Sequence, residues 1–472
     1  MNEQASNELI YESTSVSHSN VRYTKVLPIN GTSSIVFGAT STPGPTEFLT
    51  SPNACMNLAR SVLQWDVALG ATGSANLGNV LATNPLSYIS RVVVSLQSGQ
   101  ILLDLNNVSR LATSTTHAFS SYVDSMSNCN GTPVLSTSTA AASLVPFDIV
   151  NRADTDTGLA ANFYSDVVVA DCGPSAPREF ALALGSAAAL SYASYQFRFG
   201  DAFKHTILGL DKLLYFADNT LSIQLYFNGH ESIGWGATTV GALYPTTIAG
   251  TASLTSLTMS NLSLVLAQES NYDLVRQVVA LSRSEKGIEI PVGYVYAQKT
   301  NQTGQQHSIQ YQLTQGFGNS VNFIVWSPFQ FQTIGDKWIN SFNNCIDVSA
   351  HGGGVNVALS SYNTYMDQLP ISNSGFLYDV THGEQWFANS RSLHKSMVLS
   401  SADYSKHFAH FDNYTSGSLN SFDQTSQQGL SLKEPHIYSV NCNFAGAVAV
   451  NHFVWIFTNR ILKINSAGVQ LV

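Results

Sequence analysis

The segment that decides the fold runs from Ser256 to Gln298 and reads SLTMSNLSLVLAQESNYDLVRQVVALSRSEKGIEIPVGYVYAQ. It opens with a strand pattern at Leu262–Leu266, and apolar residues at helical spacing then predict a short helix over Tyr272–Leu281, preceded by an asparagine N-cap. Residues 282–287, SRSEKG, form the most charged hexapeptide of the chain, and a fresh strand pattern follows at Ile288–Tyr296. The segment therefore predicts that one β unit ends, a helix and a charged junction follow, and a second β unit begins.

Strand patterns dominate on both sides of this junction. Apolar residues alternate late in Met56–Leu69, Leu221–Phe227 also alternates, and residues 97–100 (QSGQ) give a hairpin signal between two strand patterns. Many short strands with turn signals are typical of a sandwich or barrel. We therefore predict an all-β chain with a few short helices, whose core includes three tryptophans on strand faces: Trp65, Trp326 and Trp455.

The composition excludes several classes of protein. The chain has 472 residues, a net charge of −9 and only 11% charged residues, against about 25% in an average globular chain. Hydrophobic residues make up 44%, which is too many for a disordered chain. Lys and Arg form no run, so binding of a genome through phosphate contacts is not expected.

The compartment follows from the cysteines and the N-terminus. Five widely spaced cysteines without a C-x-x-C motif do not suggest a disulfide framework or a zinc site, so we expect reduced thiols. The N-terminus shows no signal-peptide pattern, and the longest apolar stretch, Phe444–Phe457, is shorter than the approximately 20 residues of a membrane span. We expect a protein that folds in a reducing interior and is not secreted.

No catalytic motif stands out. The sequence lacks G-x-S-x-G, Walker A and H-E-x-x-H patterns, so we predict no enzyme, no cofactor, and no catalytic, cofactor-binding or metal-binding residues.

Three polar clusters are the strongest exceptions. His410 and Asp412 would share one face of a strand, close to His407, but a metal would require a third ligand. His382 and Glu384 offer two metal ligands. Asp154 and Asp156 resemble the start of a calcium loop that lacks its glutamate. Surface or loop polarity is the preferred interpretation of all of them, and whether His407 and His410 or the two aspartates hold a cation stays open.

Four stretches together resemble the double jelly-roll major capsid proteins of tailless, icosahedral double-stranded DNA viruses, which include membrane-containing phages, virophages, polinton-like viruses and nucleocytoplasmic large DNA viruses. The stretches are residues 57–69 with 84–107 (first strands of a first barrel), 213–228 (its late strands), 256–298 (the crossing) and 460–472, RILKINSAGVQLV (the final strand pair). The resemblance covers about residues 28–472.

This resemblance implies two tandem eight-stranded jelly-roll barrels. The expected divisions are an N-terminal arm at 1–27, a first jelly roll at 28–284 with a long insertion at about 112–190, and a second at 285–472 with an insertion at about 328–375.

The resemblance also implies a function. Three chains would form a pseudo-hexagonal capsomer of the virion shell, with the insertions at its outer top and the arm near its base. The implied partners are further copies of the chain, neighbouring capsomers, minor capsid and vertex (penton) proteins, and an inner membrane or its proteins, without direct nucleic-acid binding.

Other functions stay open at this point. A single jelly-roll capsid or spike protein with a projecting domain has a suitable length. A carbohydrate-binding or glycan-hydrolysing β-sandwich could use the abundant Tyr and Trp as a sugar groove. A non-viral extracellular β-protein is less compatible with the missing secretion signal.

Overall fold

The structure is a computed structural model. It describes residues 20–29, 34–37, 43–69, 79–82, 85–111, 134–136, 181–184, 192–228, 234–236, 257–330, 359–371, 378–379, 409–415 and 429–472.

The strands fall into two sets, which we call the first half (β1–β13) and the second half (β14–β22). The first half contains β1 (Val21–Val26), β2 (Ile35–Phe37), β3 (Thr46–Leu49), β4 (Met56–Leu69), β5 (Asn79–Ala82), β6 (Ile89–Leu96), β7 (Ile101–Asn106), β8 (Val134–Ser136), β9 (Ala181–Leu184), β10 (Tyr192–Arg198), β11 (Leu221–Phe227), β12 (Gly234–Gly236) and β13 (Leu257–Glu269).

The second half contains β14 (Ile288–Leu313), β15 (Ser320–Gln330), β16 (Leu359–Met366), β17 (Leu369–Pro370), β18 (Tyr378–Asp379), β19 (His410–Asn413), β20 (Leu430–Ser431), β21 (His436–Asn465) and β22 (Gly468–Leu471). The helices of the described residues include α1 (Phe199–Ala202) and α2 (Tyr272–Ser282), and short 3-10 turns lie at Pro85–Tyr88, Ile207–Gly209 and Gln315–Phe317.

The first half has jelly-roll strand order. One sheet runs β1-β13-β4-β10 and the other runs β3-β11-β6-β7, all antiparallel. Counted along the chain, these eight main strands give the orders 1-8-3-6 and 2-7-4-5. Consecutive strands therefore alternate between sheets or form hairpins, as in two interlocked Greek keys.

The second half repeats this order with two very long strands. β14 and β21 pair along almost their whole length, from Ile288↔Ile464 to Leu313↔His436, with a register irregularity at Gly304. The 288–304 part of β14 and the C-terminal part of β21 form one sheet with β15 and β19. Their other parts form a second sheet with β16 and β18. The two long strands therefore pass from one sheet to the other at a shared corner and again give the orders 1-8-3-6 and 2-7-4-5.

The connections at one end of the first half pair with each other. β5, β9 and β12 lie in the β4–β6, β7–β10 and β11–β13 connections, and they form a separate three-stranded sheet. β8 extends the sheet of β10. The described parts of the predicted 112–190 insertion are thus short strands at this end.

The predicted tryptophans are core residues. Trp65, Trp326 and Trp455 are 1%, 0% and 0% exposed. In β4 the alternation is as expected, because Leu63, Trp65 and Val67 are buried while the residues between them are partly exposed. Burial of one face of each strand supplies most of the stabilisation of such a sandwich.

Several local predictions are confirmed. Residues 97–100 form the turn between β6 and β7, with Gly99 at φ +92°. The Asn271 side chain accepts hydrogen bonds from the amides of Asp273 and Leu274 at the start of α2. The C-terminal residue Val472 exchanges two backbone hydrogen bonds with Ile461, so this end is tied into the sheet.

Other predictions differ from the structure. The sequence suggests an irregular insertion at 328–375, yet β16 lies inside it as a central strand. Strand β18 ends at Asp379, and residues 380–394 lie outside the described residues. No described strand of the first half pairs with one of the second half, while the exact domain limits stay predictions.

Candidate functional site

The two halves meet at the connection between β10 and β11. His205 lies in this connection, is 5% exposed, and its ring contacts Phe323 and Phe457 of the second half with centroids 5.0 and 5.5 Å apart. Gly293 of β14 lies so close that a Cβ there would be 2.5 Å from the backbone oxygen of His205. A loop of the first half is therefore packed directly onto a sheet of the second.

Polar contacts reinforce this junction. The hydroxyl of Tyr294 accepts a hydrogen bond from the backbone amide of Asp104 (3.2 Å). Arg283, at the C-terminal end of α2, forms a two-point ion pair with Asp218 (2.7 and 2.9 Å) and donates to the Tyr215 hydroxyl (3.0 Å). The linking helix is thereby held to the first half.

The interior of the second half contains an unusual polar group, which we call the His–His–Cys cluster: His307, His452 and Cys442. All three are buried, with 3%, 0% and 2% exposure. His307 and Cys442 are directly paired across β14 and β21, and His452 reaches them from the facing sheet. Their potential metal-ligand atoms all lie within 4.8 Å of one another.

Hydrogen-bond directions define the protonation of the two rings. Trp326 Nε1 donates to His452 Nδ1 (3.3 Å), so in the neutral ring the proton sits on Nε2. This Nε2–H donates to His307 Nδ1 (2.8 Å), and His307 Nε2–H donates to the Gly304 carbonyl (3.1 Å). Both rings are thus satisfied in their neutral forms.

A second network lies beside the cluster, which we call the His–Asp network: Tyr362, Thr364, His410, Asp412 and Tyr438. The Tyr362 hydroxyl donates to His410 Nδ1 (2.8 Å), and His410 Nε2–H donates to Asp412 Oδ1 (3.0 Å). Asp412 also accepts from Thr364 (3.3 Å) and from Tyr438 (2.8 Å). Strand β19 supplies the histidine and the carboxylate and the facing sheet supplies the hydroxyls, so directional bonds join the two sheets.

Burial sets the pKa values of the cluster. It lowers the pKa of His452 to about 3, assisted by His307, and it also lowers the pKa of His307. Burial raises the pKa of the Cys442 thiol to about 12. At neutral pH all three groups are therefore uncharged.

The structure places some of the residues that the sequence singled out. His410 and Asp412 do point together, as predicted from strand alternation, but the preferred interpretation as surface or loop residues is wrong, because they are 1% and 4% exposed. His407, the pair His382 and Glu384, and the pair Asp154 and Asp156 lie outside the described residues. Of the five cysteines, Cys55 and Cys442 are described, and both are free and buried.

Sequence reasoning missed the His–His–Cys cluster. Its members are separated by as many as 145 residues and share no motif. Strand register brings them together: β14 and β21 must pair so that residue 307 lies opposite 442. A prediction of how these two long strands pair could have found the contact between His307 and Cys442.

Two tandem jelly-roll strand sets in one chain define the double jelly-roll class of fold. Searches against models of protein families and against curated proteins found no match. Solved structures do match, among them those of viral capsids.

The VP54 protein of PBCV-1, whose crystal structure was fitted into a cryo-EM reconstruction of the virophage Sputnik, matches with a TM-score of 0.54 and 9% identity, over 96% of this chain and 97% of that one. The Sputnik virophage structure matches with a TM-score of 0.53 and 8% identity, over 97% and 88%. The Faustovirus major capsid protein matches with a TM-score of 0.51 and 9% identity, over 95% of this chain and 91% of that one. The chain therefore has the fold of these double jelly-roll capsid proteins.

Among the described helices, none combines the length and the apolar character that crossing a bilayer would require.

Proposed function

We propose that this protein is the major capsid protein of a tailless icosahedral DNA virus, and that three copies form a pseudo-hexagonal capsomer of the virion shell. The observation that carries the proposal is the extent of the fold match: 95% or more of this chain aligns with 88% or more of each of three capsid chains. A match of both halves in tandem favours a protein with the same building plan over one that shares a single module.

The junction between the halves supports this role. A shell subunit built from two jelly rolls must hold them in a fixed relation, because each would occupy one corner of a pseudo-hexagon. The buried contact of His205 with Phe323 and Phe457 and the hydrogen bond from the Asp104 amide to the Tyr294 hydroxyl join the two halves directly and support such a fixed relation.

The elaborated end of the first half supports the proposed orientation. The connections that contain β5, β9 and β12 gather there in a separate sheet, as expected for loops on an exposed outer face. The opposite end, with α2 and the start of β1, would then face the interior. This orientation implies several partners: neighbouring capsomers, minor capsid and vertex proteins, and an inner membrane or its proteins. Direct contact of the chain with nucleic acid is not expected.

The alternatives fit the observations less well. A single jelly roll with a projecting domain would not have the strand order 1-8-3-6 and 2-7-4-5 in both halves. The sugar-groove hypothesis loses Trp65, Trp326 and Trp455, because all three are core residues.

The mass of the purified chain in solution tests the proposal. Light scattering over a dilution series should give a stable species near three times 50.9 kDa, and electron microscopy of that species should show a six-lobed outline. A dilution-independent monomer would contradict the trimer. A glycan array that gave binding at micromolar affinity, together with a monomer, would favour the carbohydrate-binding alternative instead.

A further inference from the structure

We propose that His307, His452 and Cys442 bind one thiophilic d10 metal ion, Cu⁺ or Zn²⁺, inside the second half. This proposal departs from the sequence-based expectation of no metal ligands. It concerns the interior of a single chain, so it stands or falls independently of the capsomer.

The geometry brings three suitable ligand atoms to one point. His307 Nδ1 and His452 Nε2 are 2.8 Å apart, and one ring nitrogen of each histidine lies within 4.8 Å of the Cys442 Sγ. Metal–nitrogen bonds of about 2.0–2.1 Å at a tetrahedral angle would put the two nitrogens about 3.3 Å apart. The two nitrogens thus need to separate by about 0.5 Å, and the Cys442 Sγ must lie about 3.6 Å from each of them, to admit an ion.

The surroundings favour a soft ion of low charge. The rings of Phe444 and Trp326 lie against the two histidines, with centroid distances of 4.9 and 6.0 Å. One thiolate and two imidazoles suit Cu⁺ and Zn²⁺. Cu⁺ with one thiolate gives an electrically neutral site, whereas Zn²⁺ leaves one uncompensated positive charge in a dry interior, which is costly. We therefore expect tighter binding of Cu⁺.

The proton balance of binding is defined by the hydrogen bonds. The Cys442 thiol releases its proton to solvent as the metal–sulfur bond forms. His452 moves its proton from Nε2 to Nδ1, so that Nε2 can bind the ion. The protonation of His307 does not change, because its Nε2–H stays hydrogen-bonded to the Gly304 carbonyl. A backbone carbonyl is a common hydrogen-bond partner for the second ring nitrogen of a metal-bound histidine.

Two consequences follow from this balance. One proton is released per ion, so affinity should rise about tenfold per pH unit around neutrality. The His452 Nδ1–H would also face the indole N–H of Trp326, donor against donor, where the metal-free form has a hydrogen bond. Trp326 therefore weakens the site, and Trp326→Phe should bind the ion more tightly than the wild type.

The test uses the full-length protein, stripped of metal with a chelator and incubated with Zn²⁺ or, anaerobically, with Cu⁺. After removal of excess metal, mass spectrometry should find one equivalent per chain. Cys442→Ser should retain less than a tenth of it, and the matched control Cys55→Ser, which alters a buried thiol of the first half, should retain the full equivalent. Circular dichroism confirms that both variants are folded.

X-ray absorption of the loaded wild type gives a readout that needs no variant. One sulfur at about 2.3 Å and two nitrogens at about 2.0–2.1 Å are expected around the ion. A coordination shell without sulfur, or equal metal retention in the wild type and Cys442→Ser, would overturn the proposal. So would a wild type that takes up neither ion at any pH between 6 and 8.5; the cluster would then be a hydrogen-bonded chain only.

Discussion

Replacing His205 by phenylalanine should make the protein markedly more resistant to acid. His205 is buried between Phe323 and Phe457 at the junction of the halves, and burial, together with the nearby Lys204, lowers its pKa to about 3. In the unfolded chain the pKa is about 6.5. Between these two values the unfolded state binds the proton and the folded state does not, so stability is complete above pH 6.5 and is lost as the pH falls.

The magnitude follows from the shift. At pH 5.0, which is 1.5 units below the unfolded pKa, a histidine that stays neutral when folded costs about 2 kcal/mol, at 1.36 kcal/mol per unit. His205 and His452 carry the same shift, so metal-free wild type should lose about 4 kcal/mol between pH 7.5 and 5.0. His307 acts in the same direction. His436 acts in the opposite direction, because Asp367 raises its pKa, but it is a surface pair of small effect.

Asp211, Asp218 and Asp367, the described carboxyl groups with a lowered pKa, act below this window. Burial alone would raise the pKa of Asp211, but hydrogen bonds from Asn57 and Arg60 outweigh it, so the pKa is lowered. The contribution of Asp211 to stability is therefore lost only below about pH 4. Phenylalanine at 205 retains the ring contacts and removes the titrating group. The variant should therefore lose only about 2 kcal/mol over the same range.

Denaturant unfolding monitored by tryptophan fluorescence, with chelator present and at one protein concentration, measures both losses. His436→Gln is the control, since it removes a partly exposed histidine of a surface ion pair and should leave the acid loss of the wild type nearly unchanged. If His205→Phe shows the same loss as the wild type between pH 7.5 and 5.0, the reasoning about buried neutral histidines is refuted.

Three further substitutions have defined outcomes. Asp412→Asn puts an amide N–H₂ among donors and should cost about 3 kcal/mol of unfolding free energy, whereas exposed Glu285→Gln should change it by less than about 0.5 kcal/mol; an equal effect would contradict the buried network. Gly293→Ala forces a Cβ to 2.5 Å from a backbone oxygen of the first half and should cost about 1–3 kcal/mol. Gly44→Ala, whose Cβ would have no atom within 4 Å, should leave the melting temperature unchanged. Equal melting temperatures of Gly293→Ala and Gly44→Ala in thermal unfolding would refute the close contact between Gly293 and His205. Asn271→Ala removes the cap of α2 and should weaken that helix by about 1 kcal/mol, seen as faster amide exchange confined to it.

The elements predicted correctly from the sequence are those with local determinants. The turn at 97–100 depends on Gly99, which adopts a positive φ that suits glycine. Helix α2 depends on its own apolar spacing and on the Asn271 cap. The three tryptophans could be predicted as core residues because large apolar rings at alternating strand positions are usually buried.

Strand β16 was missed for a physical reason. Its sequence LSSYNTYM shows no apolar alternation, because Tyr362, Asn363 and Thr364 are all buried. Tyr362 and Thr364 form hydrogen bonds to β19, and this pairing makes polar burial tolerable. A pattern based on hydrophobicity cannot detect a strand whose inward side chains are polar but satisfied.

The candidate site was only half predictable for a related reason. Alternation predicted that His410 and Asp412 share a face, but their burial depends on hydroxyls donated by Tyr362 and Tyr438. These partners lie 48 and 26 residues away along the chain. Whether a histidine–carboxylate pair is on the surface or in the core is therefore decided by strand register, which sequence spacing alone does not give.

The two halves are stabilised in different ways, although they share one strand order. In the first half, Trp65 packs against Tyr88 and against Tyr195 of the neighbouring strand β10, with centroids 5.5 and 5.7 Å away, and this core is held by ring packing. In the second half, directional hydrogen bonds cross between the sheets, and these fix their relative position because a shifted sheet would leave buried donors unpaired. The His–His–Cys cluster lies where the two longest strands pass from one sheet to the other. A metal ion there would join three strand segments next to the register irregularity at Gly304, and would add a third, stronger tie to the directional contacts of the second half.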